Sequence, residues 1–343
     1  MKSRLENIQH LRGIAAMLVV FVHFPTELQR FCGAIGVDIF FFISGFIIYT
    51  SIEKSGYHNR PLEFLKKRLL RVIPLYFAVM ALYLLMHFLL DAVRESSISP
   101  TFSTMDVVKS FLFIPNAHDN IYQDPIVFLG WSLNFEMLFY LITVICIALF
   151  SKKYFFPLLL VLFSLAMTGV LTGGFENVII DQLTSPFLFY FCIGLLIGRF
   201  QQQISDRIAP FSEVLFFSSL YLIFVVMLGK DYGYEHVGIT RERVVYDGVS
   251  YPRFLIWGIP SLLLFLSYFS FSQKYRISSR FLNELGNRSY SIYLLQIFFI
   301  QFLYEAGFLF NSVGKTILSF VLMGILVWFS GLSFKYFEKR FHS

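Results

Sequence analysis

The 343-residue chain is 57% hydrophobic and 15% charged, with a formal net charge of +6; soluble domains run at about 45–50% apolar and about 25% charged. Its 44 Phe and 19 Tyr are spread along the whole length, more apolar surface than one soluble core of this size hides, so lipid must solvate part of it. This excludes a soluble enzyme, a disordered chain and a disulfide-stapled secreted module. Cys32, Cys146 and Cys192 are scattered with no CxxC and no neighbouring His, which argues against a metal site and reads as buried free thiols. The positive charge alone would suit nucleic acid or anionic lipid, but its uneven placement points to membrane topology, and no nucleic-acid partner is expected.

Apolar runs predict about ten spans, at 9–28, 33–51, 72–91, 129–150, 154–172, 183–200, 211–229, 253–270, 287–306 and 315–336. They are too long and too uniformly apolar for the period-two strands of a membrane barrel. With the N-terminus inside, 20 of the 28 Lys and Arg fall on inner segments. The outer set includes Arg30, Arg243 and Arg253. The positive-inside rule then places both termini in the cytoplasm. The expected fold is an all-α polytopic transmembrane helical bundle of about ten membrane-spanning helices, in a single domain over 1–343. Lys2 and Arg4 before Ile14–Val22 resemble the start of a signal peptide, but no small-x-small cleavage site follows, so the segment reads as a retained first span.

The first span carries Arg12 and His23, eleven residues apart. On a helix that is three turns plus about 20°, so they share a face, separated by a rise of about 16 Å. Either they look into the bundle as functional groups, or Arg12 snorkels and a backbone carbonyl satisfies His23; ionisable groups inside a membrane favour function. The second span opens with Asp38, entering from the side where His23 emerges. Asp38 either orients the imidazole of a general base or serves as an acidic residue at a helix N-terminus. Ser44 and Gly45 mark close helix packing.

Arg68 and Arg71 precede the third span, three residues apart on one helix face. They fit phosphate recognition through charge-assisted hydrogen bonds, or equally a basic cluster that sets topology. The fourth span opens Trp131-Ser132-Leu133-Asn134-Phe135-Glu136, and Glu136, deep in an apolar run, requires a buried partner such as Arg12, His23 or a substrate hydroxyl. Trp131 reads as interfacial. His87 falls near an outer helix end, and the remaining histidines are placed in loops or tails. The outer segment 230–252, rich in Tyr, Asp, Glu and Arg, reads as a loop that either cradles a sugar chain or caps the bundle.

Together, Arg12-x10-His23, Gly36-Val37-Asp38-x-Phe40-Phe41-x-x-Ser44-Gly45-Phe46, Arg68-x-x-Arg71-x-x-Pro74 and Trp131-Ser132-Leu133-x-x-Glu136-x-x-Phe139-Tyr140 resemble the acyltransferase-3 family of bacterial integral-membrane acyltransferases. Ile8-Gln9-x-Leu11-Arg12-Gly13 and Asn134-Phe135-Glu136-Met137 are similar to its exopolysaccharide O-acetyltransferase branch. The likeness is dense over 8–140, loose over 285–338, and rests mainly on hydropathy between them.

The resemblance implies acetyl transfer from acetyl-CoA to a carbohydrate hydroxyl at the inner membrane. His23 is the implied catalytic residue, assisted by Asp38 or Glu136; Arg12, Arg68 and Arg71 are the acetyl-CoA-binding set, and Trp131 and Asn134 are placed at the substrate. The expected partners are acetyl-CoA, a polysaccharide or lipid-linked sugar acceptor, and the bilayer. Gln296 departs from the family pattern, since many relatives have His there, so the base assignment rests on His23. With no extracytoplasmic hydrolase-like domain after the last span, a membrane-only member is expected. The alternatives are a proton-coupled transporter and a non-catalytic subunit of a polysaccharide export system.

Overall fold

Long apolar runs fold as helices because a helix satisfies its backbone hydrogen bonds within one segment, and lipid offers no others. The computed structural model describes residues 2–24, 35–94, 102–118, 121–227, 233–236, 242–246, 249–306, 309 and 311–341. In chain order the helices are α1 (Lys2–His23), α2 (Ile35–Ser55), α3 (Pro61–Arg94), α4 (Thr104–Phe111), α5 (Trp131–Phe150), α6 (Phe155–Thr172), α7 (Val178–Leu183) and α8 (Leu188–Arg199). They continue with α9 (Gln201–Ile208), α10 (Ser212–Met227), α11 (Ile259–Lys274), α12 (Arg280–Asn287), α13 (Ser289–Ala306) and α14 (Ser312–Tyr336).

Among the described residues, eight segments are long and apolar enough to cross a membrane: Ile35–Ser55, Pro61–Leu90, Phe128–Lys153, Phe155–Thr172, Val178–Arg199, Gln201–Val225, Phe254–Lys274 and Ser312–Arg340. The molecule is an all-α polytopic bundle. The other two expected spans, α1 and α13, are helical but carry polar groups. Glu6, His10 and Arg12 lie on α1, and Gln296, Gln301 and Glu305 on α13. The two helices pack against each other.

The segment read as an outer loop differs from that expectation. Its described residues form a three-stranded antiparallel sheet of β3 (Gly233–His236), β4 (Glu242–Tyr246) and β5 (Val249–Pro252), in the order β3-β4-β5. Earlier in the chain, β1 (Asn116–His118) pairs with β2 (Ile121–Gln123) after α4. A capping box starts α4: the Ser103 hydroxyl accepts from the Asp106 N–H at 3.1 Å, and the Asp106 carboxylate accepts from the Ser103 N–H at 3.1 Å. Burial pushes the Asp106 carboxyl up, but Ser103 and the nearby His118 hold it below its ordinary range.

Helix α2 is the central post. A Cβ on Gly45 would lie 2.4 Å from the Phe191 carbonyl oxygen, and one on Gly194 would lie 2.3 Å from that of Phe42. Only glycine lets α2 and α8 approach this closely. Around the contact, Phe41 and Phe42 of α2 pack on Phe187, Tyr190, Phe191 and Phe265. Cys146 and Cys192 are free and buried, as expected; Cys32 lies outside the described residues.

Candidate active site

Helices α1, α2, α3, α5 and α13 enclose a cavity of about 90 Å³ at the basic end of the bundle. Four expected residues line it: Arg12, Arg68, Arg71 and Glu136. The three-residue spacing of Arg68 and Arg71 keeps both on one face of α3, as the helix period requires. On α5, Glu136 and Tyr140 are one turn apart, and the Tyr140 hydroxyl donates to the Glu136 carboxylate. The Ser44 hydroxyl of α2 donates to the same oxygen at 3.3 Å. Ser44, read as a packing residue, therefore also supports the carboxylate.

The arginines are held differently. Arg12 and Arg68 are each 8% exposed. Arg12 donates to Gln9 Oε1 at 3.4 Å, and the Arg68 guanidinium lies 5.4 Å from the Phe64 ring. Among the described residues, no carboxylate lies within ion-pair distance of Arg12, Arg68 or Arg71. The nearest counter-charges act through space: Glu136 on Arg12 and Arg68, and Glu338 on Arg12 and Arg71.

Glu338 follows α14 in a one-turn helix (Glu338–Phe341), is 3% exposed, and accepts a hydrogen bond from the Ser291 hydroxyl of α13. Its position after the last span gives it the look of an ordinary tail charge. The available signal is that it is the acid closing a long apolar helix next to Lys339 and Arg340.

His23 ends α1. Its Nδ1 lies 2.8 Å from the Val19 carbonyl oxygen. A carbonyl only accepts, so Nδ1 carries the hydrogen, and a neutral ring presents its lone pair at Nε2. The Phe128 ring packs 5.2 Å away. The Gln296 side chain also interacts with this imidazole. Gln296 is fully buried; its amide nitrogen donates to the Tyr293 carbonyl at 2.9 Å, and its Oε1 meets no partner at hydrogen-bond geometry among the described residues. The position that departs from the family pattern thus stands beside the expected base. Tyr293 also lines the cavity, and its hydroxyl bonds Ser132 Oγ at 2.7 Å. One turn of α13 therefore links the arginine cavity to His23.

Asp38 is placed otherwise than expected. It is fully buried, and Arg253 grips it: Nη2 lies 2.7 Å from Oδ2, and Nε lies 3.2 Å from both oxygens. Arg253 in turn stacks over Trp257 at 4.7 Å and Phe187 at 5.3 Å. Among the described residues no hydrogen bond joins Asp38 or Glu136 to His23, and the orienting contact at Nδ1 is the Val19 carbonyl.

Neither Trp131 nor Asn134 lines the cavity. Trp131 packs against Phe41, Phe135 and Phe187. Asn134 is buried with its Oδ1 unpartnered. His10, to which the sequence assigns no role, sits inside α1 fully buried, with Nδ1 2.9 Å from the Tyr268 hydroxyl.

A family model described as an acyltransferase domain matches residues 5–334. The chain belongs to the acyltransferase-3 family. It is 28% identical over 304 residues to the exopolysaccharide production protein ExoZ of Rhizobium meliloti (strain 1021), covering 86% of each chain. It is 32% identical over 176 residues to an O-acetyl transferase of Shigella phage Sf6, covering 46% of this chain and 51% of the phage protein. No solved structure matches. Family membership and the apolar helices make the protein a multi-pass membrane acyltransferase.

Proposed function

We propose that this acyltransferase moves an acetyl group from cytoplasmic acetyl-CoA to a hydroxyl of a cell-surface or exported polysaccharide, or its lipid-linked precursor, in the bacterial inner membrane. The observation that carries the donor assignment is the arginine cavity. Three guanidinium groups without close ion pairs converge on one space, and such groups seek the oxygens of a phosphate. A cavity of about 90 Å³ takes a few water-sized groups and not a nucleotide. In this reading Arg12, Arg68 and Arg71 grip phosphate oxygens while the slim pantetheine arm threads inward. That arm extends on the order of 15–20 Å by ordinary bond geometry, which matches the rise of about 16 Å between Arg12 and His23 on α1. The polysaccharide acceptor is supported by the exopolysaccharide production protein and the O-acetyl transferase to which the chain is similar.

In the mechanism, His23 Nε2 takes the proton of the acceptor hydroxyl as its oxygen attacks the thioester carbonyl. The tetrahedral intermediate collapses, expelling the CoA sulfur, and the His23 proton passes to the departing thiolate. The Nδ1–H bond to Val19 fixes the tautomer this requires and stabilises the imidazolium. The same geometry serves a covalent acetyl-His route, with Nε2 as the nucleophile. The Asn134 amide supplies a donor to the oxyanion, since Arg12 is occupied with the phosphates about 16 Å away along α1. Asp38 keeps a supporting part, fixing the end of α2 through Arg253, and Trp131 walls the acceptor side.

Acetyl-CoA turnover by detergent-purified protein tests the reading. Wild type should release CoA slowly. His23→Ala should lower turnover by roughly 10²–10⁴-fold, the ordinary contribution of a general base, while still binding acetyl-CoA. Arg68→Ala should weaken binding. If wild type neither binds nor turns over acetyl-CoA, even with a membrane glycan extract present, the assignment is wrong.

A further inference from the structure

A second site lies on the lipid-facing side, away from the arginine cavity. Helices α6 and α8 leave between them an apolar groove of about 1140 Å³. Its walls are Phe156, Leu160 and Phe163 on α6 with Phe189 and Leu196 on α8, and Phe254 also lines it. Several of these side chains are exposed, Phe156 and Leu160 at 65% each. Such a groove is larger than the ~300–1,000 Å³ of a pocket for a small ligand.

The mouth of the groove is cationic. Phe150, which also lines it, runs directly into Lys152 and Lys153, both exposed in the turn before α6. Opposite them Arg199 ends α8. Its guanidinium lies 4.5 Å from the Phe155 ring and 5.2 Å from the groove-lining Phe156 ring, and it interacts with the Tyr49 hydroxyl. Stacked this way, Arg199 is held in place while remaining exposed. No carboxylate lies within 4 Å of these three cations among the described residues. The acid nearby, Glu53, accepts the Tyr154 hydroxyl at 3.2 Å and lies 3.8 Å from His58 Nε2.

We infer that this groove binds a two-chain anionic glycerophospholipid of the basic-side leaflet, its phosphate between Lys152, Lys153 and Arg199 and its acyl chains along α6 and α8. A lipid tail moving from bilayer to groove leaves no water behind, so the chains contribute packing and the headgroup charge supplies the selectivity. Anionic lipid is therefore preferred over zwitterionic lipid of the same chain length. The site goes beyond acetyl transfer and does not depend on it.

Native mass spectrometry of the detergent-purified protein reads the site directly. Phosphatidylglycerol, phosphatidylcholine of matched chains and a polyprenyl phosphate are titrated against wild type, Lys152→Gln/Lys153→Gln/Arg199→Gln, and Leu160→Trp. Wild type should retain phosphatidylglycerol at least roughly tenfold better than phosphatidylcholine, as the combined pull of three basic groups predicts. The triple variant should lose this preference, and Leu160→Trp, which fills the groove, should lose the bound lipid with its melting temperature unchanged. Equal retention of the two phospholipids, or undiminished phosphatidylglycerol binding in Leu160→Trp, overturns the inference. Preferential displacement of phosphatidylglycerol by the polyprenyl phosphate assigns the groove to a different lipid and overturns it too. If the triple variant does not fold, Leu160→Trp decides alone.

Discussion

Buried charge occurs at both ends of this bundle, and the two ends treat it in opposite ways. At one end Arg253 clasps Asp38 with its Nε and Nη2, and aromatic rings cover the guanidinium. At the basic end, Arg12, Arg68 and Arg71 line a cavity with no carboxylate in ion-pair range among the described residues, while Glu136 spends its hydrogen bonds on Tyr140 and Ser44. A closed pair is self-sufficient and resists any ligand. In the proposed reading, arginines with no carboxylate in ion-pair range among the described residues are held ready for an incoming anion. Burial alone therefore does not mark function; incomplete pairing does.

The largest effect that distinguishes the ends should come from Arg253→Met. It strands the Asp38 carboxylate in an apolar site, and breaking one side of a buried pair costs about 3–5 kcal/mol. Thermal unfolding in detergent should show it. Asp38→Leu/Arg253→Met, which removes both charges, should recover much of the loss. If the double variant unfolds as early as the single one, the pair is more than a structural clasp.

Arg71→Met should show the reverse signature at the other end. It removes one of three like charges that repel each other, so stability should hold or rise by up to about 1 kcal/mol. Acetyl-CoA affinity should fall roughly 10–100-fold, the worth of a charged hydrogen bond of about 1.5–3 kcal/mol. Isothermal titration beside the same unfolding assay separates the two. A loss of stability without a loss of affinity would make the cavity a second clasp.

What sequence reveals follows the same division. Helices are legible because length and apolarity are local properties; Arg12 and Glu136 stand out because each interrupts an apolar run, and Arg68 and Arg71 because they share one face of a basic helix end. Their partners are not legible. Arg253 reads as one more outer cation, yet it closes on Asp38 across 215 residues, a separation to which no helical period applies. An aspartate at the start of a span and a histidine at the end of the preceding one look like natural partners along the chain, but the guanidinium is the stronger claimant for a buried carboxylate. Gln296 reads as the absence of a base, while its place beside His23 depends on how α13 packs against α1. His10 lies at the start of the first predicted span, and nothing local shows that its ring meets Tyr268 of α11.

Glu338 offers the subtlest test of the contrast, because it is the residue that brings the open end closest to the closed one. Its buried carboxylate acts on Arg12 and Arg71 from a distance and is anchored by Ser291. It offsets part of the positive charge, and in the proposed donor-binding mode it competes with the phosphates for the same guanidinium groups. Glu338→Gln keeps the shape and the Ser291 contact but removes the charge. Acetyl-CoA should then bind more tightly by about 1 kcal/mol, roughly fivefold, and the apo protein should unfold slightly earlier because its arginines repel without compensation. Titration of the variant at two salt concentrations checks the cause, since a gain made by removing a buried charge is screened less than one at the surface. Weaker binding in Glu338→Gln would instead mean that the carboxylate holds the arginines in the geometry the phosphates need, and the basic end would then be partly clasped after all.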